Sequence, residues 1–463
     1  MKKAVLLLVC LGILVPGVWI LILKFEGTAP EVTIELPSQY LKKSYVMALD
    51  VQDHQTGIRQ VQVSLMQKGN EKVVLDKTYS QGSILNTMSE KHQDQASFQI
   101  PIEIQKYGYN DGEAVIRVMV TDGSWRGWNR GNRFYKEKKV IIDSQPPKLQ
   151  ILTRQHNIQR GGAALVIYRE FEPDIVSGVM VGDHYFPGHS GMFKDPMVKT
   201  AFFALDHTQG PGTRIFVRAK DLAGNVTDRG FHHYIRDKNF RHDVLNISDR
   251  FLERKIPRID IGDKETDFSG AANPLLEKFL YVNGTLRKQN VDTVLAVPSD
   301  TVEKMLWKGR FGRLAGSANR ARFGDRRVYK HEGNEIDRAV HLGVDLASTA
   351  NAPVGAANAG RVIMTRNVGI FGNTIILDHG FGLASLYCHL SEVRVNEGDT
   401  VAKKDVIGLT GLTGLAGGDH LHLSVIVHDV FVNPVEWWDA NWIKNNITSK
   451  IAAVQKQISA SGN

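Results

Sequence analysis

Three histidine-containing segments near the C-terminus carry the residues of this 463-residue chain that are best suited to chemistry. Their sequences are HLGVD at residues 341–345, YCHL at residues 387–390 and DHLHL at residues 419–423. Together they supply imidazoles and a carboxylate that could hold a zinc ion, and further histidines that could transfer protons. A catalytic zinc ion typically takes three protein ligands and leaves a fourth position for water. These residues therefore predict hydrolysis, with peptide bonds as the expected substrate.

The third segment predicts a strand over residues 419–427, because apolar residues alternate along it. In an extended strand, side chains at positions i and i+2 share a face. His420 and His422 would therefore point in the same direction.

The first segment must change direction if His341 and Asp345 are to bind one ion. Four residues along a straight strand would separate them by about 13 Å, whereas zinc ligands lie about 2 Å from the metal. Gly343 is suited to a bend. A helical pair is the alternative, but Val344 and the nearby Pro353 make a long helix less favourable.

Each motif also has a simpler explanation when it is taken alone. A single HxxxD or HLH pattern occurs often by chance, and His379 and His428 are expected to have no ligand role. Cys388 is expected to be a small buried residue and not a nucleophile, because adjacent strand residues face opposite ways. The prediction of catalysis depends on all three segments occurring together.

Residues 323–438 resemble the M23-family (LytM-type, lysostaphin-like) zinc metallopeptidases. Beyond the three histidine segments, the similarity includes the sequences GVDLA at 343–347, GAANAG at 355–360, GNTIILDHG at 372–380, GDTV at 398–401 and GLTGLTG at 408–414. The resemblance implies that His341, Asp345 and His422 bind one Zn²⁺ per chain, and that His389 and His420 are the catalytic histidines. It also implies that the substrate is the peptide part of peptidoglycan, either a cross-link or a stem peptide.

In the expected reaction, one of His389 and His420 takes or relays a proton while the other stabilises the oxyanion. The sequence does not assign the two roles. A non-catalytic LytM-type regulator of another cell-wall hydrolase is the alternative function, and the full set of ligands argues against it. A membrane-fusion adaptor built on a lipoyl-like barrel is a third possibility that leaves the histidines unexplained.

The N-terminal segment Ala4–Leu23 contains twenty uncharged residues between Lys2-Lys3 and Lys24. At 1.5 Å per residue a helix of this length spans about 30 Å, the hydrocarbon thickness of a bilayer. We expect an uncleaved single-pass anchor in the cytoplasmic membrane, with a cleaved signal peptide as the alternative. Lysines at the start favour an N-terminus inside the cell and a catalytic domain outside, in the periplasm.

The two cysteines and the net charge exclude some classes of protein. Cys10 falls in the N-terminal apolar segment, so Cys388 has no partner for a disulfide outside it. The formal charge is +8, and six arginines lie between residues 310 and 327. No nucleic-acid recognition motif accompanies them, so we expect a solvated basic face and no nucleic-acid partner.

The predicted fold is mainly β, with a C-terminal antiparallel β peptidase domain. Two immunoglobulin-like β-sandwich modules are predicted from alternating strand patterns. An internal similarity supports them, since VMVTD at 118–122 resembles VRAKD at 217–221. Helical spacing over 243–255 and 273–279 predicts helices, and Ser299 is a plausible N-cap for a third over 300–307. This helical segment could regulate access to the active site. The expected divisions are an anchor at 1–29, sandwiches at 30–145 and 146–236, a helical segment at 237–322, the peptidase at 323–440 and a tail at 441–463. The sandwiches could also bind protein partners.

Overall fold

The computed structural model describes residues 2–80, 93–262 and 267–461, which are mainly β-strands. Cα packing divides the chain into two compact units. One comprises residues 1–147 and 220–226, and the other comprises residues 148–219 and 227–463. The mainly β prediction is confirmed, whereas the predicted domain boundaries stay predictions.

The N-terminal unit is a pair of β-sheets that share one core. Its elements are α1 (Lys2–Lys24), β1 (Glu31–Glu35), β2 (Tyr40–Leu41), β3 (Ser44–Gln52), β4 (Ile58–Gln67), β5 (Asn70–Thr78), β6 (Gln95–Glu103), β7 (Gly112–Asp122), α2 (Arg126–Asn129) and β8 (Arg133–Ile142). One sheet has the strand order β1-β3-β6 and the other has the order β2-β8-β7-β4-β5. Burial alternates along β3, as expected for a strand with one face in the core, and Leu49 packs in the same cluster as Val63 and Val118.

The predicted N-terminal transmembrane anchor is not supported. The segment does form a helix, α1. However, among the described residues no helix combines the length and the apolar character needed to cross a membrane.

The second unit begins with the region predicted as the second sandwich. Its strands are β9 (Leu149–Ile151), β10 (His156–Gln159), β11 (Ala163–Glu170), β12 (Val176–Val181), β13 (His184–Pro187), β14 (Val198–Ala204), β15 (Ile215–Lys220), β16 (Val226–Gly230) and β17 (His233–Arg236). They form sheets of order β14-β11-β9 and β13-β12-β15-β16, and β10 pairs with β17. Almost every side chain of β11 is buried, which indicates packing on both faces of this strand.

A helical region follows, and its helices differ in position and length from those predicted. Its elements are β18 (His242–Asn246), α3 (Asp249–Lys255), α4 (Pro274–Tyr281) and α5 (Arg287–Ala296). Two helices begin at side-chain caps: Ser248 accepts a hydrogen bond from the Phe251 N–H, and Asn273 accepts one from the Leu276 N–H. Residues 242–246 form a strand where a helix was expected, because they pair with a distant strand. The predicted helix at 300–307 is also wrong, since those residues are irregular.

The C-terminal region consists of antiparallel strands followed by helices. The strands are β19 (Ala318–Ala321), β20 (Arg326–His331), β21 (Asn334–Val340), β22 (Val344–Ala347), β23 (Pro353–Gly355), β24 (Gly360–Val368), β25 (Gly372–Gly380), β26 (Leu383–Leu390), β27 (Glu392–Val393), β28 (Thr400–Val401), β29 (Val406–Leu409), β30 (Leu421–Val427) and β31 (Val430–Val432). The helices are α6 (Pro434–Trp438), α7 (Ala440–Ile443) and α8 (Ser449–Ser461).

The main sheet of this region has the order β19-β22-β30-β26-β25-β24-β28, with β31 beside β30. Every side chain of β26 and β30 is buried, so these central strands are covered on both faces. A smaller sheet of order β18-β20-β21 and another of order β23-β29-β27 flank it. The predicted antiparallel C-terminal β domain is confirmed.

Glu436 on α6 is a carboxyl group held at a junction within the second unit. Its Oε2 accepts a hydrogen bond of 3.0 Å from the Ala163 N–H at the start of β11. Burial raises the pKa of Glu436 to about 8, although its contact with Ala163 and the charge of Lys238 act in the opposite direction. The folded protein therefore holds a proton on Glu436 at pH values where the unfolded chain does not.

This shift predicts that stability falls as the pH rises from about 4.5 to about 8. One pKa unit corresponds to about 1.4 kcal/mol. A fully buried Glu436 would therefore lower the free energy of unfolding by about 5 kcal/mol over this pH range. We expect a few kcal/mol, because part of the Glu436 side chain reaches solvent, which screens its charge. Glu436→Gln should remove this pH dependence while it keeps the contact to Ala163. Melting temperatures at pH 5 and pH 8.5 would show it, and equal pH slopes for the two proteins would contradict it.

Candidate metal centre

Three neighbouring strands at the centre of the main sheet carry most of the predicted site. The register pairs Asp345 on β22 with His422 on β30, and His422 with Cys388 on β26. Cross-strand partners lie on the same face of a sheet. Two residues that are 77 positions apart in the chain are therefore brought side by side.

The predicted bend between His341 and Asp345 is confirmed, and the helical alternative is wrong. Strand β21 ends at Val340 and β22 begins at Val344. Gly343 lies in this bend against the site itself. A Cβ atom on Gly343 would lie 2.5 Å from Ser424 Oγ and 2.6 Å from His422 Nε2, so only glycine lets the backbone pass this close.

We expect Gly343→Ala to weaken metal binding without unfolding the chain. The new methyl group would push aside the His422 ring and the Ser424 hydroxyl, which hold one predicted ligand in place. Loss of such supporting contacts typically lowers metal affinity about 10- to 100-fold. Competition with a coloured chelator would measure the change. An alanine variant with unchanged metal affinity would contradict the argument.

Three donor atoms converge at one point. His341 Nε2, Asp345 Oδ1 and His422 Nδ1 lie 2.9 Å from one another in each of the three pairs. A tetrahedral zinc ion with bonds of about 2.1 Å would hold its ligand atoms about 3.4 Å apart. The three atoms therefore need to separate only slightly to surround an ion.

The hydrogen bonds around these rings leave lone pairs facing the centre. His341 Nδ1 donates to the Arg322 carbonyl at 3.0 Å, so its Nε2 carries no proton when the ring is neutral. His422 Nε2 is 3.0 Å from Ser424 Oγ, whose own hydroxyl donates to the Leu342 carbonyl. His422 Nε2 must therefore donate, and its Nδ1 is left as an acceptor. Three acceptors this close together repel one another unless a cation lies between them, so these residues fit a metal ion.

The carboxylate of Asp345 is held from its other side by a cation. Arg327 Nη2 donates to Asp345 Oδ2 at 3.0 Å, which leaves Oδ1 to face the histidines. Burial alone would raise the pKa of Asp345. The contacts with His341, His420 and His422 lower the pKa by more than burial raises it, so it lies well below its usual range. Asp345 is therefore ionised, as a metal ligand must be.

His389 reaches the site through an irregularity in β26. Residues 387–390 of β26 oppose only residues 373–375 of β25, and His389 has a φ of +64°. This bulge turns the His389 ring to within 5.9 Å of the His422 ring, centroid to centroid. Its Nδ1 donates to the Thr413 carbonyl at 2.9 Å, so its Nε2 is left free for chemistry.

His420 lies beside His389 on the same side of the centre. The ring centroids of the two residues are 4.8 Å apart. His420 Nδ1 donates to the Gly418 carbonyl at 2.7 Å, and its Nε2 lies 3.5 Å from Asp345 Oδ1. Burial lowers the pKa of His389, whereas for His420 the nearby Asp345 outweighs burial and raises the pKa. Between them, the two imidazoles can therefore accept a proton and hold one.

Comparison with known proteins identifies the region that contains this centre. Residues 339–434 match the sequence profile of Peptidase family M23. The C-terminal domain belongs to this family. The chain is 39% identical over 98 residues to Peptidoglycan DD-endopeptidase ShyA of Vibrio cholerae, and the match covers 21% of this chain and 23% of that protein. It is 36% identical over 96 residues to DD-carboxypeptidase/endopeptidase Mpg of Neisseria meningitidis, which covers 21% of this chain and 22% of that protein.

The chain spans about a quarter or less of the length of these curated relatives. Among solved structures, the catalytic domain of lysostaphin from Staphylococcus simulans is 25% identical, with 28% of this chain and 98% of that chain covered and a TM-score of 0.24. The family assignment rests on the sequence match.

The remaining histidines and Cys388 of the M23 domain lie outside the centre. His379 is buried in β25, where its ring bonds to the Ala359 carbonyl and to Ser385 Oγ. The ring of His428 stacks on that of His189, with centroids 5.5 Å apart. Burial raises the pKa of Cys388, so its thiol is not an activated nucleophile.

Two arginines at the centre lie outside the predicted set of site residues. Arg327 belongs to the cluster expected to form a solvated basic face, but it contacts Asp345. Arg287 on α5 lines the cavity that contains the predicted site residues. Side chains two positions apart along a strand share a face, and Tyr329 and His331 are buried. The spacing of Arg327, Tyr329 and His331 therefore indicates that Arg327 also faces inward.

A cavity of about 310 Å³ opens onto the candidate metal centre. The described residues that line it include all five predicted site residues and also parts of β18, α3, α4 and α5. The helical region therefore forms one wall of the cleft. Whether it regulates access stays a hypothesis.

Proposed function

We propose that this chain is a zinc endopeptidase that hydrolyses peptide cross-links or stem peptides of peptidoglycan. The observation that carries the proposal is the set of three converging acceptor atoms on His341, Asp345 and His422, each 2.9 Å from the others. The Vibrio cholerae relative is named a peptidoglycan DD-endopeptidase, which supports this substrate, and the Neisseria meningitidis relative is named a DD-carboxypeptidase/endopeptidase. We propose that the domain acts outside the cytoplasm, where peptidoglycan lies.

His341, Asp345 and His422 would hold the zinc ion, with one ion per chain. Zinc bound there would supply Lewis acidity toward a peptide carbonyl and toward water. Arg327 keeps Asp345 oriented, and the Arg322 carbonyl and Ser424 keep the two imidazoles in the required tautomers.

His389 and His420 would move the protons of the reaction. Each donates its Nδ1–H to a backbone carbonyl, so each leaves Nε2 free on the ring. One Nε2 can accept the proton released by water, and the other, once protonated, can donate to the developing oxyanion. Buried apolar residues such as Phe371 and Ile370 line the cavity and limit its water content.

The test is digestion of purified peptidoglycan, with and without a chelator, followed by mass analysis of the fragments. We expect new peptide fragments, loss of these fragments on chelation and recovery when zinc is restored. The fragment masses would identify the bond that is cut. Bound zinc with no fragments from intact or fragmented peptidoglycan would contradict an enzymatic function and favour a regulatory one.

A further inference from the structure

Two arginines outside the matched family region line the cavity at the metal centre. Arg287 lies at the start of α5 and Arg327 lies on β20, and both share the cavity with His389 and His420. Neither residue falls within 339–434. The cleft therefore carries cationic groups supplied by elements outside the matched region.

The positive charge of this cleft exceeds its negative charge. Asp345 is the only carboxylate among the described residues that line the cavity. Its Oδ2 already bonds to Arg327, and its Oδ1 faces the histidines. A divalent ion at the centre would add further positive charge, so an anion that enters the cleft would be stabilised.

Arg287 forms no ion pair with a carboxylate in the described part of the chain, although the charge of Asp337 acts to raise its pKa. Its Nε and Nη2 donate to the backbone carbonyl and Oδ1 of Asn283, at 3.0 and 2.6 Å. The nearby Asp337 is hydrogen-bonded to the Asn283 amide and forms no ion pair with Arg287. Burial lowers the pKa of Arg287, the direction expected when desolvation of a cation is not fully compensated.

Arg327 also has an unused donor. Its Nη2 is committed to Asp345, but its buried Nε has no hydrogen-bond acceptor among the described residues. A buried donor without an acceptor destabilises the protein, and such groups are uncommon unless a ligand satisfies them. Both guanidinium groups therefore have capacity left for an incoming acceptor.

We propose that Arg287 and Arg327 form a subsite that binds a carboxylate of the peptide substrate beside the metal centre. A guanidinium presents a planar fork of N–H donors that matches the two oxygens of a carboxylate. The subsite would favour substrates with a free carboxylate close to the scissile bond over those with an amide there. This inference rests on the proposed function, because it assumes a peptide substrate in the cleft.

The experiment compares cross-linked muropeptides with the same muropeptides after carbodiimide coupling to ammonia, which converts their carboxylates to amides. Wild-type protein should bind and hydrolyse the carboxylate form about tenfold better or more, as expected for a charged hydrogen bond. Arg287→Gln should reduce this preference severalfold by weakening the carboxylate form only. Lys288→Gln is the matched control, because it removes a neighbouring exposed charge from the same helix.

Binding to the His389→Ala protein, measured by calorimetry, gives a second readout that does not need turnover. If amidation leaves wild-type binding unchanged, or if Arg287→Gln weakens both forms equally, the subsite does not exist. If wild-type protein binds the carboxylate form selectively but releases no product, the subsite stands and the proposed function fails. Zinc content of Arg287→Gln should match that of the wild type, and a loss of zinc would assign Arg287 to the support of the metal centre instead.

Discussion

Replacing His422 with alanine should remove both the bound zinc and the hydrolysis of peptidoglycan. His422 Nδ1 is one of only three converging donor atoms in the centre, and its ring is buried between Asp345 and Ser424. The variant would leave one imidazole and one carboxylate, too few ligands for a stable catalytic zinc site. We expect zinc to fall to a small fraction of one ion per chain, and activity to fall by about 10³-fold or more.

Elemental analysis of the dialysed protein and digestion of purified peptidoglycan would measure the two effects. His232→Ala is a suitable control, because its side chain is exposed and lies outside the cavity lining. The control should keep both zinc and activity. If His422→Ala keeps its zinc, the proposed ligand set is wrong, whatever happens to activity.

The variants His389→Ala and His420→Ala should keep zinc but lose most of their activity. Neither imidazole is part of the group of three donor atoms, yet both lie beside it, with ring centroids 4.8 Å apart. Loss of a positioned proton-transfer group typically reduces the rate about 10²- to 10⁴-fold. Together with His422→Ala, these variants separate the residues that hold the metal from those that act beside it.

Zinc content and hydrolysis should be measured on the same preparations. Asp345 contacts His420, so the His420→Ala protein could show a moderately altered zinc affinity while it still fills the site at excess zinc. Full activity in either variant would remove that residue from the proposed mechanism. A complete loss of zinc in His389→Ala would make it a ligand and would require a different arrangement of the centre.

Local patterns predicted the strands of the C-terminal domain well. The strand predicted over residues 419–427 is confirmed from Leu421 onward, where it forms β30. The pair His420 and His422 follows from the period of two along a strand, and the bend at Gly343 follows from the size of a metal site. These predictions succeeded because side-chain periodicity and bond lengths act over only a few residues.

Patterns failed where a distant segment decides the local structure. Residues 242–246 have helical spacing, but they pair with β20, about 80 positions later in the chain. Arg327 looked like one of several solvated arginines until its strand placed it beside Asp345. The left-handed backbone of His389 depends on the bulge between β25 and β26. Tertiary packing overrides weak local preference in each of these cases.

The sequence by itself determined the chemical groups of this protein: two imidazoles and a carboxylate for a metal, and two more imidazoles nearby. Only the tertiary structure decided which nitrogen of each ring faces the centre, since carbonyl and hydroxyl partners from other segments select the tautomers. It also decided that arginines from a helix and a separate strand line the cleft. Residue types are properties of the chain, whereas hydrogen-bond partners and local charge exist only once distant segments are packed together.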